Sequence, residues 1–261
     1  MRVAIFHDWF GAIGGGERTA LTLARAWDAT VYTTQIHRPS IDRLAWTHVD
    51  EVVAISENTR RRIRLYMGRE SRVVYPPTEV SRYRFEALDD FWLSVNRLYP
   101  EKRLEIQFEA FRRLPRERLV VAGGYAEGDH ARAYAERLRP PPNVELLGEV
   151  DDSDLRRLYA RCRGLICTAL DEDFGLTPVE AMASGKVVLA VDEGGFRESM
   201  VPGETGWLLP ADPGSFAAKI RALRDEDLAS RADACRQHAL RFDVHFFIDR
   251  MRTVLEEAVA Q

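Results

Sequence analysis

Cysteine is scarce in this chain: Cys162, Cys167 and Cys235 are the only three in 261 residues. An odd number with no CxxC pair offers neither a disulfide framework nor a zinc or redox motif, so these read as small buried residues of a reducing compartment. Long apolar runs are missing too. Nothing approaches the roughly 20 consecutive apolar residues of a membrane span. The N-terminal Val3-Ala4-Ile5-Phe6 is too short for a signal-peptide core, and a cytoplasmic location is expected. A formal net charge of −4 gives no general affinity for nucleic acid, and no such partner is expected. Histidines such as His130, His238 and His245 are scattered without metal-ligand spacing; neither a metal nor a cofactor is expected. Lysine is nearly absent, with Lys102, Lys186 and Lys219 alone among the arginines. A GC-rich genome explains that bias without function, and against it a lysine inside a motif stands out.

What remains is a globular composition, 46% hydrophobic and 30% charged, and a repeated theme of apolar strand followed by helical pattern, the signal of parallel α/β architecture. A first block carries strands at 2–7, 30–34, 51–56 and 72–75, with helices at 17–27 and 57–67, the latter capped near Ser56-Glu57-Asn58. Pro76-Pro77 closes it. The polar stretch 78–90 reads as a connection. A second block carries strands at 92–97, 118–122, 144–147, 164–168, 187–191 and 207–209. Helical patterns fall at 101–113, 129–139, 152–162 and 177–183. Two helices follow, at 213–242 with a break near 224–227, and at 244–260. Six strands with intervening helices make a complete doubly wound domain. The expected domains are 1–77, a connection 78–90, 91–243, and a terminal helix 244–261 packing back toward the first domain.

Ligands of open parallel sheets bind at the carboxyl ends of strands. There the segment Glu172-Asp173-Phe174-Gly175-Leu176-Thr177-Pro178-Val179-Glu180 places two carboxylates across a turn that opens into a helix. Backbone N–H groups at such a helix start can approach a diphosphate. Glu180 is placed to accept hydrogen bonds from ribose hydroxyls and Glu172 to reach sugar hydroxyls. The same residues also suit ordinary helix-start chemistry. Arg97 and Lys102, after another strand, can neutralise a diphosphate leaving group, or stand as solvated surface cations. Gly14-Gly15-Gly16-Glu17 is a second anion cradle or a plain loop; it lacks the dinucleotide fingerprint, which disfavours NAD. Gly123-Gly124 and Gly194-Gly195 suggest a cleft where backbone comes close to a ligand.

Taken in order, Arg97 with Lys102, Gly123-Gly124, Leu147 to Asp152, Glu172 to Gly185 and Gly194-Gly195 closely resemble the group 1 glycosyltransferases, the retaining family with the two-domain GT-B fold. Gly14 to Glu17, and Ser56-Glu57-Asn58-Thr59 before Pro76-Pro77, match the family's first domain. The resemblance implies an α/β, GT-B-like fold of two Rossmann-like parallel-sheet domains, the N-terminal one reduced to about four strands. It implies a nucleotide-sugar donor whose diphosphate meets Arg97 and Lys102, whose sugar meets Glu172 and whose ribose meets Glu180. Phe174, Gly175, Leu176 and Thr177 would lie along sugar and phosphate. Gly15 or Gly16 would reach the diphosphate from across the cleft, and Gly124 belongs to the same donor-binding set. Val150 and Asp152 match positions that contact guanine in similar mannosyltransferases. The implied reaction is transfer of a hexose, mannose or glucose favoured, with retention, to a sugar or lipid-linked acceptor; Glu172, Arg97 and Lys102 are the catalytic set.

The chain departs from the family in its first domain. Only fifteen residues separate Thr34 from Asp50, where relatives carry acceptor contacts and a histidine near the reacting carbon. His37 and His48 do not inherit that role; His7 and Asp8, ending the first strand, are the better polar candidates. The alternative is a nucleotide-sugar-binding or partner-dependent protein without independent catalysis. A sugar-nucleotide epimerase fits the paired-glutamate motif less well. Arg60, Arg61, Arg62 and Arg64 load one helix with Ile63, Tyr66 and Met67 interleaved. A solvated face is the simpler reading, and weak contact with anionic lipid at the inner membrane face is the other.

Overall fold

Ser56 and Gly68 bracket a run whose arginines and aliphatics suit a helix. In the computed structural model, which describes residues 4–7, 22, 30–33, 51–124 and 131–259, that run is α1, Glu57–Met67. Ser56 Oγ accepts the Thr59 N–H at 2.9 Å, and Gly68 ends the helix in the left-handed region at φ 63°. The chain divides into two compact units, 1–78 with 242–261, and 79–241. In the first unit β1 (Ala4–His7) pairs in parallel with β2 (Thr30–Thr33), and β3 (Val53–Ala54) with β4 (Arg72–Val73). The last pair is shorter than its apolar pattern suggests. Its ladder hydrogen bonds end at Val74, just before Pro76-Pro77, which have no N–H to donate. The terminal helix Val244–Val259 joins this unit. Phe247 and Val254 pack with Val74 in one buried cluster, and Tyr75 lies edge-on to Phe242 at 5.7 Å. The helix expected at 17–27, apart from Thr22, and the polar segment 35–48 lie outside the described residues.

The second unit is one parallel sheet of β5 (Trp92–Val95), β6 (Leu119–Ala122), β7 (Val144–Gly148), β8 (Gly164–Cys167), β9 (Val187–Val191) and β10 (Gly206–Leu209), in the order β10-β9-β8-β5-β6-β7. Every residue of β6, β8 and β9 is buried, as strands covered on both faces require. Helices α2 (Leu104–Arg112), α3 (Ala131–Ala135), α4 (Asp152–Arg161), α5 (Leu176–Ala183), α6 (Phe196–Ser199), α7 (Pro213–Ala222), α8 (Asp225–Ala229) and α9 (Ala232–Ala239) connect or follow the strands. The strand order reverses between β5 and β8, which meet at Leu93 and Leu165. That reversal is the topological switch point, the place where open parallel sheets bind ligands.

Three helical expectations are corrected. The helix expected at 101–113 is broken at Arg103, whose φ of 49° ends a 3-10 turn at Pro100–Lys102 and starts α2. That expected at 129–139 is five residues long in the described part, and Pro140-Pro141-Pro142 follow soon after it. The pattern 213–242 divides into α7, α8, α9 and a 3-10 turn at Leu240–Phe242.

Residues 79–90, whose composition suggests a connection, run along the second unit. Glu86 and Ala87 N–H groups donate to Ala160 O, and Asp89 N–H to Arg161 O at 2.7 Å. Lys186, fully buried at the start of the segment leading to β9, donates its amine to Ala87 O and lies 3.9 Å from the Phe85 ring centroid. Burial pushes that amine down to about 8 from its usual 10.5. A base with a lowered folded-state pKa leaves the unfolded chain binding more protons, so stability rises with pH between about 8 and 10.5. Lys186→Met removes the buried charge. Urea unfolding at pH 7 and pH 10 is expected to show the wild type gaining about 2 kcal/mol relative to this variant as pH rises.

Candidate functional site

The chain leaves β5 through Asn96 and Arg97, and Leu98 N–H donates to Gly124 O at 2.9 Å. A Cβ at Gly123, where φ is 130°, would stand 1.9 Å from Asn96 O, so glycine is required where the segments leaving β5 and β6 lie against each other. A Cβ at Gly124 would meet Glu149 Cγ at 2.8 Å. These glycines accommodate the chain's own backbone and side chains. The 3-10 turn then presents Lys102. Its carbonyl accepts the Thr168 hydroxyl at 2.7 Å, Thr168 Oγ1 accepts the buried Gln107 amide at 2.8 Å, and Leu170 N–H donates to Glu101 O at 2.7 Å. The segments following β5 and β8 are thus tied directly together.

Glu172 follows from that tie. Its Oε2 lies 2.7 Å from Lys102 Nζ, and each side chain is 24% exposed, so a cation and a carboxylate share one partly dry position at the switch point. The Glu172 loop is gripped from the β9 side. Gly195 N–H donates to Glu172 O at 2.7 Å, and a Cβ at Gly194 would sit 2.6 Å from that same oxygen. A Cβ at Gly195 would sit 2.4 Å from Phe174 Cα. The glycine pair therefore lets two loops close on each other, a role the sequence pattern assigns to a ligand instead.

Phe174 is buried, and Gly175, at φ 90°, starts α5 without a side-chain cap. Leu176 and Thr177 supply its first residues, half-buried. Glu180 stands one turn further on, and its Oε2 accepts the Tyr159 hydroxyl at 2.8 Å. Tyr159 is fully buried at the end of α4, edge-on to Tyr83 at 6.0 Å. Burial, then the Glu180 charge, raises its phenol well above the usual value and keeps it a donor. Tyr159 and Thr168 carry no motif; only their place opposite an acid and a strand-end carbonyl identifies them.

The other expected residues share this carboxyl edge of the sheet without a described contact to the Lys102–Glu172 pair. Arg97 is exposed after β5. Gly124 follows β6, and half-buried Val150 follows β7. Asp152 opens α4, 51% exposed and 3.9 Å from Arg156; the helix is capped by Asp151, which accepts the Ser153 and Asp154 N–H groups at 2.8 Å. Those hydrogen bonds hold the Asp151 carboxyl below its usual range. Gly15 and Gly16, with Asp8, His37 and His48, lie outside the described residues, and of His7 only the backbone is described. Among the described residues no three His, Cys, Asp or Glu side chains converge as a metal site. The three thiols are buried and pushed up to about 12 by burial, which leaves them protonated and inert. Nor, among the described residues, is any helix long and apolar enough to cross a membrane.

The chain is 27% identical to an alpha-1,3/1,6-mannosyltransferase, ALG2, of Saccharomyces cerevisiae over 277 aligned positions, covering 84% of this chain and 55% of that protein. It is 31% identical to D-inositol 3-phosphate glycosyltransferase 2 of Catenulispora acidiphila over 166 positions, 58% of this chain and 39% of that protein. The chain spans about half the length, or less, of the curated relatives it matches. Among solved structures, Anabaena Alr3699/HepE in complex with UDP-glucose superposes with a TM-score of 0.71 at 20% identity, over 97% of this chain and 78% of that one, which gives the shared GT-B fold. Residues 81–240 match the family described as "Glycosyl transferases group 1". With the switch point and its paired acids inside that span, the chain belongs to the group 1 glycosyl transferases.

Proposed function

We propose that this chain binds a nucleoside-diphosphate hexose and transfers the sugar, with retention, to a hydroxyl of a sugar or lipid-linked acceptor. The Lys102–Glu172 pair at the switch point carries this reading, supported by Glu180 held on Tyr159. In the proposed complex the diphosphate takes over Lys102 and engages the exposed Arg97. Glu172 then accepts hydrogen bonds from sugar hydroxyls and Glu180 from ribose hydroxyls. The backbone from Phe174 to Thr177 lies along sugar and phosphate, and Val150 and Asp152 stand by the base. As the bond from the anomeric carbon to the phosphate oxygen breaks, its electron pair stays on that oxygen. The acceptor oxygen bonds the carbon from the same face and its proton passes to the departing phosphate. Negative charge grows on the diphosphate, where a guanidinium and an ammonium stabilise it without a metal ion.

Mannose and glucose are favoured as the sugar. A relative is named a mannosyltransferase, and a structural neighbour holds UDP-glucose. One observation favours a second reading. Only fifteen residues separate Thr34 from Asp50, where the family carries acceptor contacts, and a donor-binding protein that needs a partner for turnover has the same Lys102, Glu172 and Glu180.

Thermal shift with a panel of nucleotide-sugars is expected to raise the melting temperature for the true donor, by mass action. With that donor, Glu172→Ala and Lys102→Ala are each expected to lower turnover by about 100-fold; wild-type rates in both would sink the catalytic assignment. Turnover is expected to survive a chelator, and a rate restored only by added manganese would refute the metal-free step. Tyr159→Phe, which removes the Tyr159 hydrogen bond to Glu180, should weaken donor binding by about tenfold in calorimetry. Tight donor binding without turnover, corrected by a second protein, would instead establish the partner-dependent reading.

A further inference from the structure

Among the described residues, Arg103 at 49° and Asp171 at 46° are the two other than glycine with positive φ. Both stand at the junction that carries Lys102 and Glu172. A side chain with a Cβ is disfavoured in this region unless its surroundings hold it there. At Arg103 the holding groups are in view. Its Nε donates to Thr168 O at 2.7 Å, and its Nη2 to Ala169 O at 3.2 Å. The same guanidinium takes Glu193 as a fork, Nη2 to Oε2 at 2.8 Å and Nη1 to Oε1 at 3.3 Å. It is 21% exposed, so these bonds form largely out of water.

We propose that Arg103 is a positioning residue of the donor site, clamping the segments after β8 and β9 onto the turn after β5 and so fixing Glu172 opposite Lys102. The clamp acts through two arms. One holds Thr168 and Ala169, three to four residues before Glu172 in the same loop. The other holds Glu193, whose neighbours Gly194 and Gly195 grip the Glu172 backbone. Arg103 itself does not touch the ion pair. Its importance appears when the pair opens: a diphosphate that takes Lys102 breaks the ion pair between that lysine and Glu172, and the guanidinium fork keeps the loops in place. Lysine offers one compact charge and lacks the planar fork that serves two carbonyls and a carboxylate together. Glycine takes the left-handed conformation without strain but supplies no clamp.

That contrast gives the test, which rests on the donor-site reading above yet is separable from it. Full-length wild type, Arg103→Gly, Arg103→Lys and Glu193→Gln are compared in amide hydrogen exchange and in turnover of UDP-glucose and GDP-mannose. In Arg103→Gly, exchange over 168–175 is expected to quicken by about tenfold while β5 and β6 keep wild-type protection. Its kcat should fall about tenfold or more with a smaller change in KM, and Arg103→Lys should recover part of both losses. Wild-type exchange and kcat in Arg103→Gly would overturn the proposal. Should that variant fail to fold, Glu193→Gln, which leaves the Arg103 backbone untouched, decides. Faster exchange confined to the same loop supports the clamp, and unchanged exchange and kcat overturn it. If the wild type turns over neither donor, the transferase reading loses support, while the exchange comparison still judges the clamp.

Discussion

The pairing of β5 with β8 is the constraint on which the rest of the second unit depends. These strands are separated in sequence by two further strands and their helices, yet they lie side by side with Leu93 opposite Leu165. Both are fully buried, and at about 25 cal/mol per Å² of apolar surface removed from water the central strands supply a strong drive to this arrangement. Because the strands are parallel, their carboxyl ends emerge together. Their connections lead away on opposite sides, and the turn carrying Lys102 and the loop carrying Glu172 meet at this switch point.

That meeting is stiffened by polar groups rather than by core packing. Thr168 bridges the Lys102 carbonyl and the Gln107 amide, and both Gln107 and Thr168 are fully buried, where a polar atom left without a partner costs more than a made hydrogen bond returns. The glycines complete the arrangement by permitting contacts no Cβ would allow. Gly123 lets the segments leaving β5 and β6 lie against each other, and Gly194-Gly195 let the loop after β9 close on Glu172. In the proposed reaction charge develops at one fixed place, and groups already oriented by these contacts need not reorganise as it appears.

The parallel architecture was legible because strands buried on both faces read as continuous apolar runs, and the acids and cations at their ends stood in a family motif. Glu172, Glu180 and Lys102 are therefore singled out as candidates by pattern. Tyr159 was not, since a tyrosine late in an amphipathic helix looks the same whether it fills core or orients an acid 21 residues away. Residues 79–90 look like a connection because they are polar and irregular. Their hydrogen bonds to Ala160 and Arg161, and the Lys186 amine at Ala87, come from segments distant in the chain.

By itself the sequence determined which stretches are buried strands, where their loops begin, and which side chains carry charge at those loops; these are local properties, written in hydrophobic periodicity and residue type. Only the tertiary structure decided that Lys102 and Glu172 form an ion pair, that Tyr159 serves Glu180, that the glycine pairs face the chain's own loops, and that Arg103 interrupts a helix to bind three strand-end groups. Each of these depends on the distance between residues far apart along the chain. That distance is set by strand order and register, which no local pattern encodes.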